Sequence, residues 1–324
     1  RPRGRSRKAR KAPDSDSAPD SDAEPHTSVL MQEVLQYLDV KDGGQYLDCT
    51  FGAGGYTRRI LAAAPACHVT ALDQDPSVRP FVDAMSQDFP GRFQFEETNF
   101  MDAVTAVGGR RYDGVVLDLG VSSMQLDQGE RGFSIRNDGL LNMRMDMGVH
   151  GGPTAADFVN SAPEEEIADV IWKYGEERAS RRIARAIVQS RAQAPFTTTR
   201  QLADVVRGVV PMRSKGRRKG GAFVDPATKT FQAIRIHVNR ELEALEHFLS
   251  QAQHLLTPGG RLVVVSFHSL EDRIVKEFFV AHSPRPQAVC KYRPTPILRT
   301  PDQYLQVLTR KVVTATEAEL AANA

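Results

Sequence analysis

Cysteine is scarce in this sequence: Cys49, Cys67 and Cys290 are the only three in 324 residues. Odd in number and widely spaced, they offer neither a disulfide framework nor a metal-ligand spacing, and a reducing compartment is expected. Cys49 lies in an apolar run and reads as a small core residue. Long hydrophobic runs are also missing. None approaches the roughly 18 residues of a membrane span, so no membrane partner is expected. Net charge is almost absent, because 42 Lys and Arg stand against 40 Asp and Glu, leaving +2. That sum hides a segregation at the start of the chain. Residues 1–11 carry seven basic side chains and no acid, and residues 14–24 carry five acids among Ser, Pro and Ala. Residues 1–25 have little apolar surface to bury and are expected to be a disordered charged tail. They lack the apolar core of a signal peptide, and their acidic half argues against a transit peptide. The remainder, in a chain 41% hydrophobic and 25% charged, should be globular.

What is present is organised around Gln45-Tyr-Leu-Asp-Cys-Thr-Phe-Gly-Ala-Gly-Gly-Tyr56. It reads as a short buried strand, a glycine-rich turn and the start of a helix. Gly52, Gly54 and Gly55 permit a sharp turn and a close approach of ligand to backbone amides. The run His68-Val-Thr-Ala-Leu-Asp-Gln-Asp75 follows at the spacing of a second strand, and its Asp73 comes 18 residues after Gly55. An acid there can accept hydrogen bonds from both ribose hydroxyls. The position that a dinucleotide fingerprint reserves for its last Gly or Ala is Thr57, which disfavours a nicotinamide dehydrogenase. Asp48-x-x-x-Gly52-x-Gly54 is closer to the loop of S-adenosylmethionine-dependent methyltransferases. A bland alternative, in which the glycines only close a tight turn, stays open on this pattern alone.

Strands and helices then alternate. Helices are expected over residues 29–38 and 77–89, and strands over 93–97 and 112–118. Alternation implies an α/β fold with a doubly wound parallel sheet whose ligands sit beyond the carboxyl ends of the strands. Asp48, Asp73, Asn99-Phe100 and Asp118 all fall at or near those ends. From about 125 to 230 the alternation stops, and helices are expected over 155–160, 163–174, 176–193 and 199–209. This region reads as an inserted helical domain. Arg178, Arg181, Arg182, Arg185 and Arg191, with the basic stretch 213–219, favour a phosphate-binding face over a merely solvated one. Stacking aromatics are sparse: Phe133, Trp172 and Tyr174 are visible, with Trp172 assigned to the core. Phe231, Ile234, Val238, Leu242, Leu245, Leu249 and Leu256 form one apolar helical stripe, which Thr257-Pro-Gly-Gly should end. A fifth buried strand is expected over 261–268, then a helix to 280 with Ser269 at its cap. A final antiparallel strand is expected over 305–313. The sheet domain is thus discontinuous, residues 26–124 and 231–320, with 125–230 inserted as the RNA-recognition part.

Several longer words carry a more specific signal. They include Asp118-Leu-Gly-Val-Ser-Ser-x-Gln-Leu-Asp, Glu130-Arg-Gly-Phe-Ser, Met143-Arg-Met-Asp, Tyr174-Gly-Glu-Glu-Arg, Thr230-Phe-Gln-Ala-Ile-Arg and Ser266-Phe-His-Ser-Leu-Glu-Asp-Arg273. Together, from about 26 to 320, the chain resembles the MraW (RsmH) family, class I methyltransferases with a Rossmann-like sheet that methylate N4 of a cytidine in small-subunit ribosomal RNA. The resemblance implies S-adenosyl-L-methionine as cofactor, held by Gly54, Gly55, Tyr56, Asp73, Phe100, Asp118 and Gln125. It implies small-subunit ribosomal RNA or an assembled small subunit as partner, a helical insertion that seats the RNA, and a cytoplasmic setting, a mitochondrial matrix suiting the same chemistry. The oligomeric state is open, and a homodimer is compatible with it. Two positions depart from the family pattern: Tyr56 replaces a usual His, so contact there is through backbone or altered, and Asn142 replaces a usual Asp. The family's short Arg-rich C-terminal tail is also missing where the sequence stops at Ala324.

No Asp/Asn-Pro-Pro-aromatic loop follows the fourth strand, so Asp118 is the first candidate to accept hydrogen bonds from the amine, and catalysis is assigned to it. It could equally serve the cofactor. A lone His at the end of the fifth strand reads as hydrogen-bonded structure, and the family resemblance implies a place for His268 beside the site in a supporting role. Arg136, Arg144 and Asp146 lie in polar loops that read by themselves as solvated; the family resemblance implies instead that they contact RNA or lock the insertion. Two competing readings remain: a same-fold methyltransferase acting on another amine, and a non-catalytic ribosome-assembly or RNA-binding factor.

Overall fold

The computed structural model describes residues 29–210, 225–284, 303–309 and 311–316. The charged tail, the basic stretch 213–219 and Cys290 lie outside them. Helix α1 (Met31–Leu38) leads to β1 (Gln45–Asp48), α2 (Gly55–Ala63), β2 (His68–Asp73) and α3 (Arg79–Asp88). Then come β3 (Phe93–Glu97), the single turn α4 (Ala103–Ala106) and β4 (Tyr112–Asp118). The third and fourth strands have the expected bounds.

The described strands form one parallel sheet in the order β3-β2-β1-β4-β5, with β5 spanning Leu256–Val265. The order in which strands are added reverses between β1 and β4, and the crevice at such a switch point is where open α/β sheets bind ligands. Three of the seven β4 residues are valine or leucine, and residues 114–117 are buried, as a strand covered on both faces requires. One face buries Val34, Ile60, Leu61 and Met85 from α1, α2 and α3. The other takes Ala103 from α4, Leu245 and Phe248 from α11 (Glu241–Leu255) and Val275 from α12 (Ser269–Ala281).

Between β4 and α11 the chain builds a separate helical layer. It contains α5 (Ser123–Asp127), α6 (Ala155–Ser161), α7 (Glu164–Gly175), α8 (Ser180–Arg191), α9 (Thr199–Val209) and α10 (Thr228–Asn239). Its core includes Phe158, Ile167, Ile171, Ile183, Ile187 and Leu202. Glu164, Glu165 and Glu166 occupy the first turn of α7, at the positive end of its dipole. Thr198 and Gln201 close a capping box at the start of α9.

The apolar stripe beginning at Phe231 belongs to two helices, not one. Arg240 adopts a left-handed conformation (φ 51°) between α10 and α11. Phe231 and Ile234 enter the helical core, whereas Leu245 and Leu249 enter the sheet core. The helical layer therefore continues through Asn239, past the expected junction at 230. One left-handed residue redirects a helix without disturbing the three-and-four spacing of its apolar residues, so the pattern shows no break. Asn239 supplies the anchor: its Nδ2 donates to the carbonyls of Met143 (2.7 Å) and Arg235 (2.9 Å), and its Oδ1 accepts from the Met145 amide (2.9 Å).

Other expectations shift. Thr257-Pro-Gly-Gly lies inside β5 as an irregularity, where pairing jumps from Tyr112–Leu256 to Gly114–Arg261. That strand is only half-buried over much of its length, because among the described residues it pairs on one side alone. The described residues of 305–313 form no strand; the Leu305 amide donates to the His282 carbonyl instead. The cap of α12 is His268, one residue before Ser269.

Asn239→Ala should lower stability by about 1–3 kcal/mol, since it leaves a buried amide and carbonyl of the Met143–Met145 segment unpaired. Thermal unfolding measures the loss, and hydrogen exchange should locate faster opening at residues 143–146.

Candidate active site

The carboxyl edge of the sheet gathers acids. Asp48 ends β1, Asp73 ends β2 and Asp118 ends β4. Asp48 is fully buried and accepts from the Thr57 hydroxyl (2.7 Å) and the Thr50 amide (3.1 Å). Asp73 accepts from the amides of Gly52 (2.8 Å) and Asp75 (2.9 Å), which ties the glycine loop to the end of β2. Asp118 keeps part of its surface open, but its Oδ1 is closed off from solvent and has no hydrogen-bond partner. Burial raises Asp48 and Asp73 from 3.8 to about 6, in spite of the amides and hydroxyl that stabilise their charged forms. Burial, followed by the neighbouring charges of Asp48 and Glu271, raises Asp118 to about 8.

Such a set suits a ligand that brings positive charge and hydroxyl donors. A cation compensates desolvated carboxylates, and a diol can donate to Asp73. The unpartnered oxygen of Asp118 is the feature within the fold that most needs such a ligand. An ammonium or sulfonium group with a ribose meets these demands, which is the chemistry of S-adenosylmethionine.

The glycine loop sits beside these acids. Gly54 has φ 83°, and a Cβ on it would come within 2.6 Å of the Met85 methyl and 3.0 Å of the Phe51 ring. Close packing alone therefore demands glycine there. Gly52, at φ 54°, faces open space: a Cβ on it would meet only Ser122 Cβ, at 3.9 Å. Gly55 is the half-buried first residue of α2. Phe100 is half-buried and meets Phe248 edge-on at 5.9 Å. With Gln74, Asn99, Leu119 and Gly120 it lines a small cleft under the helical layer. Asn99 accepts from the Met101 amide and donates to Gln74 (2.8 Å each), so this wall is braced from within. A larger cavity of about 1290 Å³ runs along the outer side of β5, and its lining includes none of Asp48, Asp73 or Asp118.

Two expected cofactor contacts have other duties. The Tyr56 ring is buried in the sheet core and its hydroxyl donates to the Val29 carbonyl, so only its backbone can serve a ligand. Gln125 Oε1 accepts from the Ser122 amide (3.1 Å), and its Nε2 donates to Asp75 (2.8 Å). Asp75 also receives Arg131 at 2.9 Å, with side chains 2% and 6% exposed. Arg131 in turn donates to the carbonyls of Arg144 (3.1 Å) and Met145 (3.0 Å). Sequence reasoning missed this centre. Arg131 stands in a recognisable word, but nothing in its neighbours marks a buried arginine.

The roles left open resolve toward structure. Arg144 and Asp146 form a buried pair. Burial works against the Asp146 charge, but hydrogen bonds from Arg144 and the amides of Gly148 and His150 outweigh it and hold its carboxyl below the ordinary range. These contacts brace the loop over residues 144–150 from within, while Arg136 is exposed. The aromatic assignments reverse: Phe133 is buried under Arg131, Trp172 is 58% exposed, and Tyr174 is half-buried beneath Lys173. Arg178, Arg181, Arg182 and Arg185 are exposed, whereas Arg191 donates to the carbonyls of Val159 and Ala162. His268 Nδ1 accepts the Glu271 amide (3.4 Å), and the Glu271 carboxylate accepts the amides of Phe267 (2.9 Å) and His268 (3.3 Å). Cys49 and Cys67 are buried free thiols.

The chain is similar to proteins of known description. The sequence model of the MraW methylase family matches residues 23–324. Ribosomal RNA small subunit methyltransferase H of Rickettsia bellii (strain RML369-C) is 48% identical over 299 residues, 92% of this chain and 94% of that protein. The protein of the same description from Rickettsia prowazekii (strain Madrid E) is 51% identical over 298 residues, with the same coverage. No described helix is long and apolar enough to cross a membrane. Among the described residues, no group of three His, Cys, Asp or Glu could hold a metal ion.

The raised carboxyl of Asp118 gives a stability test. Folding favours its protonated form, so its contribution is complete below pH 3.8 and is lost as pH rises through about 8. Asp118→Asn removes that loss. The variant should melt higher than wild type at pH 8 and 9, with the difference shrinking toward pH 4. Equal melting temperatures at pH 9 would contradict a desolvated carboxylate.

Proposed function

The chain belongs to the MraW methylase family, and from that premise we propose that it methylates N4 of a cytidine in small-subunit ribosomal RNA. It is an S-adenosylmethionine-dependent RNA methyltransferase on a class I α/β fold. When bound, S-adenosylmethionine supplies a methyl group already activated on a cationic sulfur. Asp73 would receive the ribose hydroxyls, Phe100 would lie beside the adenine, and the backbone of Gly54 and Gly55 would face the methionine part. Gln125 acts one step removed, holding Asp75 and through it the loop that carries Arg131.

The reaction asks two things of the protein. It must align an amine whose lone pair is delocalised into the ring, and it must stabilise the positive charge that develops on that nitrogen. The observation that supports this reading best is Asp118, with an unpartnered Oδ1 and a carboxyl raised to about 8. At neutral pH a carboxyl raised to about 8 is mostly protonated; the cationic sulfur of a bound cofactor would favour its ionised form, which can accept a hydrogen bond from the amine and then its proton. The target base must be unpaired or turned out of its stack, at a cost of roughly a few kcal/mol. The exposed arginines of the Arg178–Arg185 surface offer phosphate contacts that would seat the RNA or an assembled small subunit. Such a substrate suits a cytoplasmic setting, as it would a mitochondrial matrix.

Purified small subunits lacking the modification should accept label from S-adenosylmethionine, with N4-methylcytidine recovered on nucleoside analysis. Asp118→Ala should retain its fold by circular dichroism and lose about 10²–10³ in turnover, the usual cost of removing a charge-stabilising group. Near-normal turnover would remove Asp118 from the chemistry. Cofactor affinity should rise from pH 6 to pH 8 by calorimetry, because a cation binds the ionised carboxyls, and this slope should flatten in Asp118→Asn.

A further inference from the structure

We propose that Phe267 is the platform on which the target pyrimidine stacks while its amine faces Asp118. The inference rests on the reading of Asp118 as the amine's acceptor and adds the residue that orients the base. Asp118 is paired with Val265 across β4 and β5, and the Leu119 amide donates to the Val265 carbonyl (3.0 Å). Two residues beyond this pair, on the same edge, stand Gly120 and Phe267. Gly120 has φ 95°, and a Cβ on it would lie 3.6 Å from the Phe267 ring. The ring therefore borders the backbone that leaves Asp118, and the absent side chain at Gly120 keeps the space beside it open.

Phe267 is 55% exposed, whereas Phe51, Phe133, Phe158, Phe196, Phe231 and Phe248 are all under 8% exposed. Its outward position is imposed by the cap of α12. The Phe267 and His268 amides both donate to Glu271, which is 2% exposed, and His268 accepts from the Glu271 amide. The backbone on either side of Phe267 is thus fixed. A hydrophobic residue before a helix cap usually packs on the fourth residue of the helix, closing a staple. Here that residue is Asp272, which turns to Lys276 (2.6 Å), so Phe267 has no staple partner. An exposed aromatic ring on a fixed backbone, two residues along the edge from a carboxyl with an unpartnered Oδ1, suits a flat base that carries an amine. Stacking supplies sequence-tolerant binding and leaves selection of the amine to Asp118.

The test is steady-state methylation of small subunits lacking the modification at saturating cofactor, with cofactor affinity measured by calorimetry. Phe267→Ala should lower kcat/KM for subunits by about ten- to a hundredfold, the range of losing one base–aromatic stack. Phe267→Tyr and Phe267→Trp should restore most of the rate. Phe267→Leu, apolar but without a π face, should stay impaired. Cofactor affinity and melting temperature should match wild type in all four. A Phe267→Ala rate within twofold of wild type, or equal rescue by Leu and Tyr, would overturn the platform. So would a parallel loss of cofactor binding. Should wild type itself yield no N4-methylcytidine, the underlying reading fails instead, independently of how the Phe267 variants behave.

Discussion

The buried ion pair between Asp75 and Arg131 is the contact on which the architecture of the site depends. Asp75 follows β2, and Arg131 belongs to the long connection after β4. Two charges taken from water are tolerable only when their remaining hydrogen-bonding capacity is filled, and breaking such a pair typically costs about 3–5 kcal/mol. Here it is filled. Gln125, Ser77 and the Arg144 and Met145 carbonyls complete the coordination, so one arginine joins the sheet edge, the loop above it and the entry to the helical layer. Met145 is in turn bonded to Asn239, at the end of the last helix of that layer. The insertion is clamped at both its entry and its exit onto the same edge that carries the acids.

That clamp explains how the protein sustains an otherwise unfavourable arrangement. Asp48, Asp73 and Asp118 are desolvated, and the charge of Asp48 raises the other two further. Left to relax, the loops would open and hydrate them. Asp48 and Asp73 are held by amides and hydroxyls of the glycine loop, which lowers their cost. Asp118 has no such help at Oδ1, and so it is the carboxylate with the most to gain from a cation or an amine. Burial thus does more than strengthen the electrostatics of the site. It concentrates the demand for a ligand on one atom.

Much of the fold is legible in the chain. The bounds of β3 and β4 follow from apolar runs between turn residues, and the parallel sheet from the alternation of strand and helix. The failures share a cause. The stripe through Phe231 and Leu245 keeps its period across Arg240, so two helices serving two cores read as one. Trp172 reads as interior because it is large and apolar, and Phe133 reads as a stacking candidate because polar residues surround it. Which side of a helix or loop faces a neighbour depends on elements distant in sequence, and composition carries no record of that. Arg144 and Arg191 show the same limit, since each looks like a surface cation and each is spent on internal partners.

By itself the sequence determined the order of elements, the glycine loop, the acids at the strand ends and the family to which they belong. These are set by local spacing, by the steric freedom of glycine and by words long enough to be specific. Only the tertiary structure decided which of those residues face the cleft. Tyr56 turned into the core, Gln125 became the brace of Asp75, and Asp118 was left with an oxygen that nothing in the protein satisfies. The reason is that burial and the pairing of charges are properties of the packed surroundings. A carboxylate is ordinary or strongly raised according to what surrounds it, and most of those surroundings arrive from elsewhere in the chain.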